Sequence, residues 1–219
     1  MNMNNSDIDK VIKILRDDIK KYKTPAVTVV SKKRDPFRVL ISCLISLRTK
    51  DEVTAAASKR IFALADNPRD MVKLDPSQME TAIYPAGFYR NKARDILEIC
   101  KVLVERYNST VPDEIDELLK FKGVGRKTAN LVITLGYGKQ GICVDIHVHR
   151  ISNRWGYVKT KKPDETEFAL RKKLPAQYWI EINDLLVTYG QNICTPKSPH
   201  CSKCGIYNFC DKAGVEKMR

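Results

Sequence analysis

The stretch Phe121–Ala129, FKGVGRKTA, joins two apolar helical segments. Glycine accepts positive φ and lets another backbone come close, so Gly-Val-Gly predicts a tight turn. The amides after Gly125 open a second helix, predicted over Lys127–Leu135, whose N–H groups and positive dipole end favour a phosphate. Two helices joined in this way form a helix-hairpin-helix, which grips the DNA backbone without reading sequence. An ordinary corner between core helices is the alternative.

Lys127 lies in the first turn of the second helix, where the positive dipole end disfavours its ammonium form. Arg126 and Lys122 act in the same direction, so we predict a lowered pKa for the Lys127 amine. A neutral amine held beside DNA is a nucleophile that can form a Schiff base. A phosphate-contacting lysine is the alternative, and for a lone lysine it is the more common role.

Asp145 follows the apolar run Ile142–Val144 and precedes a helical stretch. Aspartate in this position is usually an N-cap, because its side chain accepts bonds from the first helical N–H groups. The same carboxylate could face a cleft and take part in catalysis. By itself, the position favours the cap.

Four cysteines near the end of the chain form the pattern Cys194-x6-Cys201-x2-Cys204-x5-Cys210. Four thiolates suit a [4Fe–4S] cluster or a structural zinc ion. Zinc sites usually contain two short Cys-x2-4-Cys pairs, and only Cys201 and Cys204 form such a pair here. The spacing alone therefore favours the iron–sulfur cluster and leaves zinc open.

The remaining cysteines argue against disulfide bonds. The chain has seven cysteines, an odd number, and Cys43, Cys100 and Cys143 each stand alone among apolar residues. The polar stretch Met1–Lys10 lacks the apolar core of a signal peptide. We therefore expect a reduced, cytoplasmic protein, in which clustered cysteines are metal ligands.

The composition is strongly basic, with a formal charge of +13 and a pI near 9.4. The basic residues are spread along the chain, which predicts a basic folded surface and a polyanionic partner such as nucleic acid. A basic protein without such a partner is the alternative. No apolar run is long enough to cross a membrane, since Val39–Leu47 is broken by Ser42 and Ser46.

Helical periodicity extends along nearly the whole chain and predicts an all-α fold of many short helices. Ser6 is predicted to cap the first helix, and Asp35-Pro36 to start a buried helix over Phe37–Leu47. A long helix is predicted over Arg90–Tyr107. Thr24–Ser31 is rich in β-branched residues and could be extended, but it is too isolated to build a sheet.

Three features together resemble the endonuclease III family of DNA glycosylases, within the helix-hairpin-helix glycosylase superfamily. They are the run Gly123–Asn130, the segment Val144–His147 and the terminal cysteine pattern. They occur in the family's order and at comparable separations, and the resemblance covers nearly the whole chain. It implies an all-α fold of two helical lobes that flank a DNA-binding cleft.

The same resemblance implies domain boundaries. A helical barrel would span 30–138 and contain the helix-hairpin-helix at about 112–136. A cluster domain would combine 1–29 with 139–219, with the cluster loop at 194–210.

The resemblance also implies a bifunctional DNA glycosylase and AP lyase that removes oxidised pyrimidines in base excision repair. Lys127 would be the nucleophile and Asp145 its carboxylate partner, on opposite walls of the cleft. The terminal cysteines would hold a [4Fe–4S] cluster. The implied partner is double-stranded DNA with a damaged base or an abasic site. We expect a monomer in the cytoplasm, associated with the nucleoid and with no membrane.

Further residues are expected to contact DNA. Arg48 stands where the family has a glutamine that fills the gap left by the flipped base, which leaves the preferred lesion and opposite base open; a phosphate-binding arginine is the alternative. Phe88 matches a family loop that inserts an apolar side chain into the base stack, with a core aromatic as the alternative. The other expected contacts are Lys122, Gly123, Val124, Gly125, Arg126, Thr128, His147 and Lys197.

Other functions compete with this one. A thymine or uracil mismatch glycosylase is the first alternative, because Arg48 lies where the opposite base is read. A DNA-binding protein without catalysis is the second, although the coincidence of Lys127 and Asp145 argues against it. A redox sensor that uses the cluster is the third.

Overall fold

A computed structural model describes residues 5–31 and 34–219 of the protein, and these residues form helices and no strands. The predicted all-α fold is therefore confirmed. The α-helices are α1 Asn5–Ile19, α2 Ala26–Ser31, α3 Pro36–Ser46, α4 Asp51–Leu64, α5 Pro68–Met71, α6 Pro76–Ile83, α7 Tyr89–Arg106, α8 Ile115–Leu118, α9 Arg126–Leu131, α10 Ile146–Arg154, α11 Pro163–Lys173 and α12 Ile182–Asn192. Short 3₁₀ turns cover Ala176–Tyr178, Cys201–Lys203 and Tyr207–Phe209, and a π-helical turn covers Val132–Gly136.

The chain divides into two compact units. The hairpin unit is Ala26–Gly141, and the cysteine-loop unit combines the N-terminal segment up to Pro25 with Ile142–Arg219. The sequence prediction placed these boundaries at 30 and 138, and the first four residues of its predicted cluster domain lie outside the described residues.

The central helix of the hairpin unit is α3, and its burial was predicted correctly. Asp35 caps it, because its Oδ1 accepts bonds from the backbone N–H groups of Phe37 and Arg38 at 3.0 and 3.1 Å. Pro36 occupies the first helical position, where its missing N–H costs nothing. Every residue from Val39 to Ile45 is buried, so α3 is enclosed on all sides.

Two local predictions differ from the structure near the N-terminus. Ala26–Ser31, part of a stretch that could have been extended, is the helix α2 and packs against α3. Helical packing thus outweighs the weak strand preference of its β-branched residues. Ser6 lies within α1, which begins at Asn5, so it is not the residue before the helix.

The helix that follows the hairpin also differs from its prediction. Its α-helical part ends at Leu131, and Val132–Gly136 forms a wider π-turn in which Tyr137 N donates to Val132 O at 3.2 Å. Gly136 packs tightly there, since a Cβ on it would lie 2.8 Å from the Cα of Pro36. The wider turn therefore accommodates a close approach to the start of α3.

The cysteine-loop unit has its own apolar core. Helices α1, α10, α11 and α12 contribute to it, and the fully buried Trp155 and Tyr189 are its largest side chains. The segment 194–219, which follows α12, contains only 3₁₀ turns. Among the described residues, no helix has both the length and the apolar character required to span a membrane.

Candidate functional site

The hairpin has the geometry that its glycines predict. Gly123 adopts φ +78°, a conformation that L side chains rarely accept. Val124 is buried, and its N–H donates to Phe121 O at 3.1 Å, which closes the turn. Gly125 is the N-cap of α9, and a Cβ on it would meet nothing within 4 Å. The backbone at Gly125 is therefore open to the close approach of a ligand.

Lys127 lies in the first turn of α9 and is partly buried. It is close to the buried thiol of Cys43 in α3: burial raises the pKa of Cys43 to about 12, and the positive charge of Lys127 acts against that rise. Lys127 is therefore near enough to the central helix α3 for its charge to act on a buried thiol. The lowered pKa expected for Lys127 stays a prediction.

The other hairpin residues that are predicted to contact DNA differ in the solvent exposure of their side chains. Thr128 is buried, so its hydroxyl is not presented at the surface, whereas Arg126 is only partly buried. Lys122 Nζ lies 3.0 Å from Asp95 Oδ1 and 3.7 Å from Glu98 Oε2. Part of the Lys122 charge is thus neutralised by α7. That ion pair was not predicted, because nothing in the local sequence brings α7 to the hairpin.

Arg48 and Phe88 form one exposed pair on the hairpin unit. Phe88 is 61% exposed, so the alternative role as a core aromatic is wrong. The guanidinium carbon of Arg48 lies 5.5 Å from the centroid of the Phe88 ring, within cation–π range. Both residues have positive φ, +53° and +58°. Strained conformations of this kind persist where the surroundings hold them, and they are frequent at functional sites.

Asp145 is the N-cap of α10, as the sequence predicted. Its Oδ1 accepts bonds from the backbone N–H groups of His147 and Val148 at 2.8 and 2.9 Å. Both bonds end on Oδ1, so Oδ2 of the partly buried carboxylate takes no part in the cap. The cap fixes the carboxylate rigidly at the start of the helix.

His147 has a defined tautomer. Arg150 Nη2 lies 3.1 Å from His147 Nδ1. A guanidinium only donates, so Nδ1 accepts and the ring proton is on Nε2. Gly190 makes room for this ring, since a Cβ there would lie 2.4 Å from Nδ1. The phosphate contact expected of His147 stays a prediction.

Arg150 also joins this histidine to the cysteine loop. Its Nη2 donates to the carbonyl oxygens of Gly190 at 3.3 Å and Cys194 at 2.8 Å. Arg150 was missed from the sequence. Its spacing of three residues from His147, on the same helical face, is the signal that could have revealed it.

All four terminal cysteines line one cavity, which is partly open to solvent. Three of the sulfur atoms already receive hydrogen bonds. Tyr189 Oη donates to Cys204 Sγ at 3.1 Å, Arg154 Nη1 to Cys194 Sγ at 3.4 Å, and the Lys212 backbone N–H to Cys210 Sγ at 3.4 Å. Donors of this kind support thiolate ligands and tune the metal that they bind.

The loop around this cavity is held by a buried arginine. Arg154 Nη1 donates to Thr195 O at 2.7 Å, and its Nη2 donates to Pro196 O. Lys197 follows directly and is exposed, as a phosphate contact requires. Arg154 was also missed from the sequence, because its partners lie about forty residues further along the chain.

The thiols of the terminal cysteines must lose their protons before they can bind a metal. Burial raises the pKa of Cys210 to about 11 and also raises the pKa of Cys201 and Cys204. A metal must therefore displace protons when it binds. Within residues 5–31 and 34–219, no three His, Cys, Asp or Glu side chains converge closely enough to hold a single ion.

Residues 41–176 match the family model described as "HhH-GPD superfamily base excision DNA repair protein". The Endonuclease III of Thermotoga maritima is 49% identical over 180 residues, which cover 82% of this chain and 84% of that protein. The chain belongs to the endonuclease III family. The resemblance inferred from the hairpin, the Val144–His147 segment and the cysteines is thereby confirmed.

Solved structures of this family are similar to the chain throughout most of its length. One, described as "Structure of a non-covalent Endonuclease III-DNA Complex", has a TM-score of 0.80 at 33% identity and covers 93% of this chain and 95% of its own. A second is described as "Structure of a Trapped Endonuclease III-DNA Covalent Intermediate: Estranged-Adenine Complex". It has a TM-score of 0.76 at 35% identity and covers 81% of this chain and 84% of its own.

Proposed function

We propose that this family member is a bifunctional DNA glycosylase and AP lyase that removes oxidised pyrimidines from duplex DNA, with Lys127 as its nucleophile. The main support is the position of Lys127. It stands in the first turn of the helix that the glycine hairpin opens, partly buried beside Cys43. One of the related structures is a covalent intermediate with DNA, which is what an attacking amine would form.

The hairpin would hold the DNA backbone. The open position at Gly125 admits a phosphate oxygen next to the first N–H groups of α9. Arg126 adds charge at the same place, and the net charge of +13 favours a polyanion. These contacts are independent of base sequence, as the search for damage at any sequence requires.

The reaction begins when the damaged nucleotide rotates out of the base stack, since its sugar carbon is inaccessible within the duplex. The neutral Lys127 amine attacks C1′, the C1′–N bond breaks, and the base leaves with the bonding electrons and a proton. The C1′–O4′ bond of the sugar ring then breaks, O4′ takes a proton, and the amine and C1′ form an imine, which acidifies the C2′ proton. Loss of that proton breaks the C3′–O bond and cuts the strand 3′ to the lesion.

Asp145 would act as a charged partner in this scheme. Its carboxylate, fixed by the cap through Oδ1, would stabilise positive charge that develops on the sugar. Because the carboxylate is already in place before the reaction, little reorganisation is needed when that charge appears. The Nε2–H of His147 would bind a phosphate oxygen and would transfer no proton.

Arg48 and Phe88 would enter the space that the rotated nucleotide leaves. Phe88 supplies an exposed aromatic face that can stack, and Arg48 supplies donors for the opposite base. A guanidinium differs from the family glutamine in having charge and no acceptor. The preferred opposite base therefore depends on Arg48 more than on any other proposed contact.

We infer that Cys194, Cys201, Cys204 and Cys210 hold a [4Fe–4S] cluster. The four cysteines line one cavity, and their soft sulfur donors suit such a cluster. When bound, the cluster would act as a structural centre that shapes the basic loop after Cys194. We further infer a monomer that acts on double-stranded DNA with a damaged base or an abasic site, in the cytoplasm with the nucleoid.

The test is borohydride trapping on a duplex with one thymine glycol, which compares the parent protein with Lys127→Ala. Lys120→Ala, an exposed lysine near the hairpin that pairs with Glu117, is the matched control. We expect a covalent adduct with the parent and the control and none with Lys127→Ala. Base release without an adduct in the parent would indicate a monofunctional glycosylase and refute the role of Lys127.

A parent protein with neither adduct nor release on this substrate would then be tested on thymine and uracil opposite guanine. Activity there would support the mismatch alternative. Binding to all three duplexes without turnover would support a DNA-binding protein without catalysis.

A further inference from the structure

Lys92 is a buried cation that the proposed reaction does not use. It lies in α7, and the whole residue is only 8% exposed. Its Nζ donates to Ile45 O at 2.6 Å, Leu47 O at 2.6 Å and Thr49 Oγ1 at 2.8 Å. An ammonium group has three donors, so all of them are satisfied. Two of the acceptors are carbonyls at the C-terminal end of α3, where a positive charge is favourable.

The same bonds connect two separate loops. Thr49 Oγ1, which accepts from Lys92, also accepts from the backbone N–H of Gly87 at 3.1 Å. Gly87 packs directly on the turn, because a Cβ on it would lie 2.6 Å from Arg48 O. The hydrogen bonds around the Lys92 ammonium therefore hold the turn that contains Arg48 against the loop that contains Phe88.

These hydrogen bonds lie next to Arg48 and Phe88, the exposed pair described above. Arg48 and Phe88 sit next to Thr49 and Gly87, both have left-handed backbones, and their side chains stack at 5.5 Å. A left-handed backbone is unfavourable for an arginine or a phenylalanine. The surrounding bonds must hold both conformations at once for the pair to keep its geometry.

We propose that Lys92 is a positioning residue that holds Arg48 and Phe88 as a single two-part wedge for opening the duplex. This proposal rests on the proposed function and adds to it a residue that does not touch DNA. Without Lys92, the end of α3 and the loop before α7 lose their common anchor. The two wedge side chains would then enter the base stack independently and with poor alignment.

A lysine suits this role better than a neutral side chain. Burial lowers the pKa of Lys92 to about 8, while the three accepting oxygens favour its ammonium form. Only the ammonium satisfies all three acceptors, and no neutral side chain of this length has three donors at one atom.

The test uses Lys92→Met, which keeps an unbranched stem and removes every donor. The first substrate is a duplex with thymine glycol opposite 2-aminopurine, a base that becomes more fluorescent when it leaves the stack. The second is a single strand with an abasic site, trapped by borohydride, which needs no wedge. Lys101→Met, on the exposed side of the same helix, is the matched control.

We expect Lys92→Met to lower kcat/KM for base release from the duplex by about 100-fold, as misplacement of reacting groups by about 1 Å can do. The fluorescence rise should disappear, while trapping on the single strand stays at the parent level. In a background of Arg48→Ala and Phe88→Ala, Lys92→Met should have no further effect on the duplex, since nothing remains to be positioned.

Equal losses on both substrates, or a full further loss in the background without the wedge, would overturn the proposal and make Lys92 a structural residue. Thr49→Val covers the case in which Lys92→Met does not fold, because it keeps the side-chain shape and removes one acceptor. Unchanged duplex release and fluorescence in Thr49→Val would also overturn the proposal. Absence of trapping by the parent would refute the proposed function instead, and the fluorescence signal still tests Lys92 without any chemistry.

Discussion

The hairpin unit and the C-terminal segment 194–219 are built by different physical means. The hairpin unit surrounds a fully enclosed helix, α3, whose apolar side chains supply their own driving force for burial. The C-terminal segment contains only 3₁₀ turns, and its four cysteines are partly buried around a cavity. One region is thus organised by the burial of apolar side chains, whereas the other contains turns and four cysteines that line one cavity.

The C-terminal segment does have bonds of its own. Its last residue is anchored, since Ser202 N donates to Arg219 O at 2.9 Å and Arg219 N donates to Pro199 O at 2.8 Å. Arg154 binds backbone carbonyls at the other end of the segment. These polar contacts outline the loop, but a few exposed hydrogen bonds contribute little net stability. The comparison therefore predicts that damage to the cysteines and damage to the apolar core have separable consequences.

The largest expected effect is the loss of iron from Cys204→Ser, because one of the four proposed ligands disappears and the Tyr189 hydrogen bond to sulfur goes with it. We expect nearly complete loss of bound iron, measured per chain together with visible absorption, and rapid proteolysis within 194–219. The matched control is Cys100→Ala, which removes a buried sulfur from the hairpin unit. Equal iron loss in both variants would mean that the two regions do not differ as described.

The second prediction compares two caps with the same bonds. Asp35 and Asp145 each accept two backbone N–H bonds at the start of a helix, one in each unit. Asparagine caps a helix about as well as aspartate, so both Asp→Asn variants should unfold within about 0.5 kcal/mol of the parent. Only Asp145→Asn removes a charge that the proposed reaction uses, and we expect it to lower the rate of base release by about 100-fold.

Single-turnover base release and urea unfolding, measured on both variants, distinguish the two roles. A similar rate for Asp145→Asn and Asp35→Asn would show that Asp145 is a cap and nothing more. The two aspartates would then have the same, purely structural role.

The third prediction concerns the apolar core of the hairpin unit. Leu40 in α3 is fully buried, so Leu40→Ala removes packed atoms and leaves a cavity. We expect it to lower the free energy of unfolding by about 3 kcal/mol. Bound iron per chain should not change, in contrast to Cys204→Ser. Iron loss that accompanies Leu40→Ala in the folded protein would mean that the loop depends on the core of the hairpin unit.

These regions also differ in how much of them the sequence could predict. The caps at Asp35 and Asp145 and the turn at Gly123 depend on residues a few positions apart, so their patterns are visible in the sequence. The cysteine pattern is equally local. The enclosed helix α3 was predictable because its apolar residues cover every face.

What the sequence did not reveal depends on partners far along the chain. In the sequence, Lys92 is one more charged position on a helix. Its proposed positioning role depends on partners at the end of α3, more than forty residues away. Arg150 and Arg154 acquire their roles from carbonyls about forty residues further on. The π-turn before Tyr137 reflects the close approach of Gly136 to Pro36. Local helix and turn propensities do not describe any of these contacts.

The smallest expected effect separates the two hairpin glycines, which have opposite reasons for lacking a side chain. Gly123 has φ +78°, so Gly123→Ala should cost about 1–2 kcal/mol of stability. Gly125 has φ −97° and open space around its Cβ position, so Gly125→Ala should change stability by less than about 0.5 kcal/mol, because the less flexible unfolded chain is offset by the weaker capping of α9 by alanine. The added methyl group would nevertheless occupy the place of the approaching phosphate. We therefore expect Gly125→Ala to be the more stable variant and the weaker binder, with urea unfolding and fluorescence anisotropy on duplex DNA at fixed salt as the two measurements. Gly125→Ala with parental affinity for DNA would mean that the hairpin is a corner of the core and not the surface that holds the backbone.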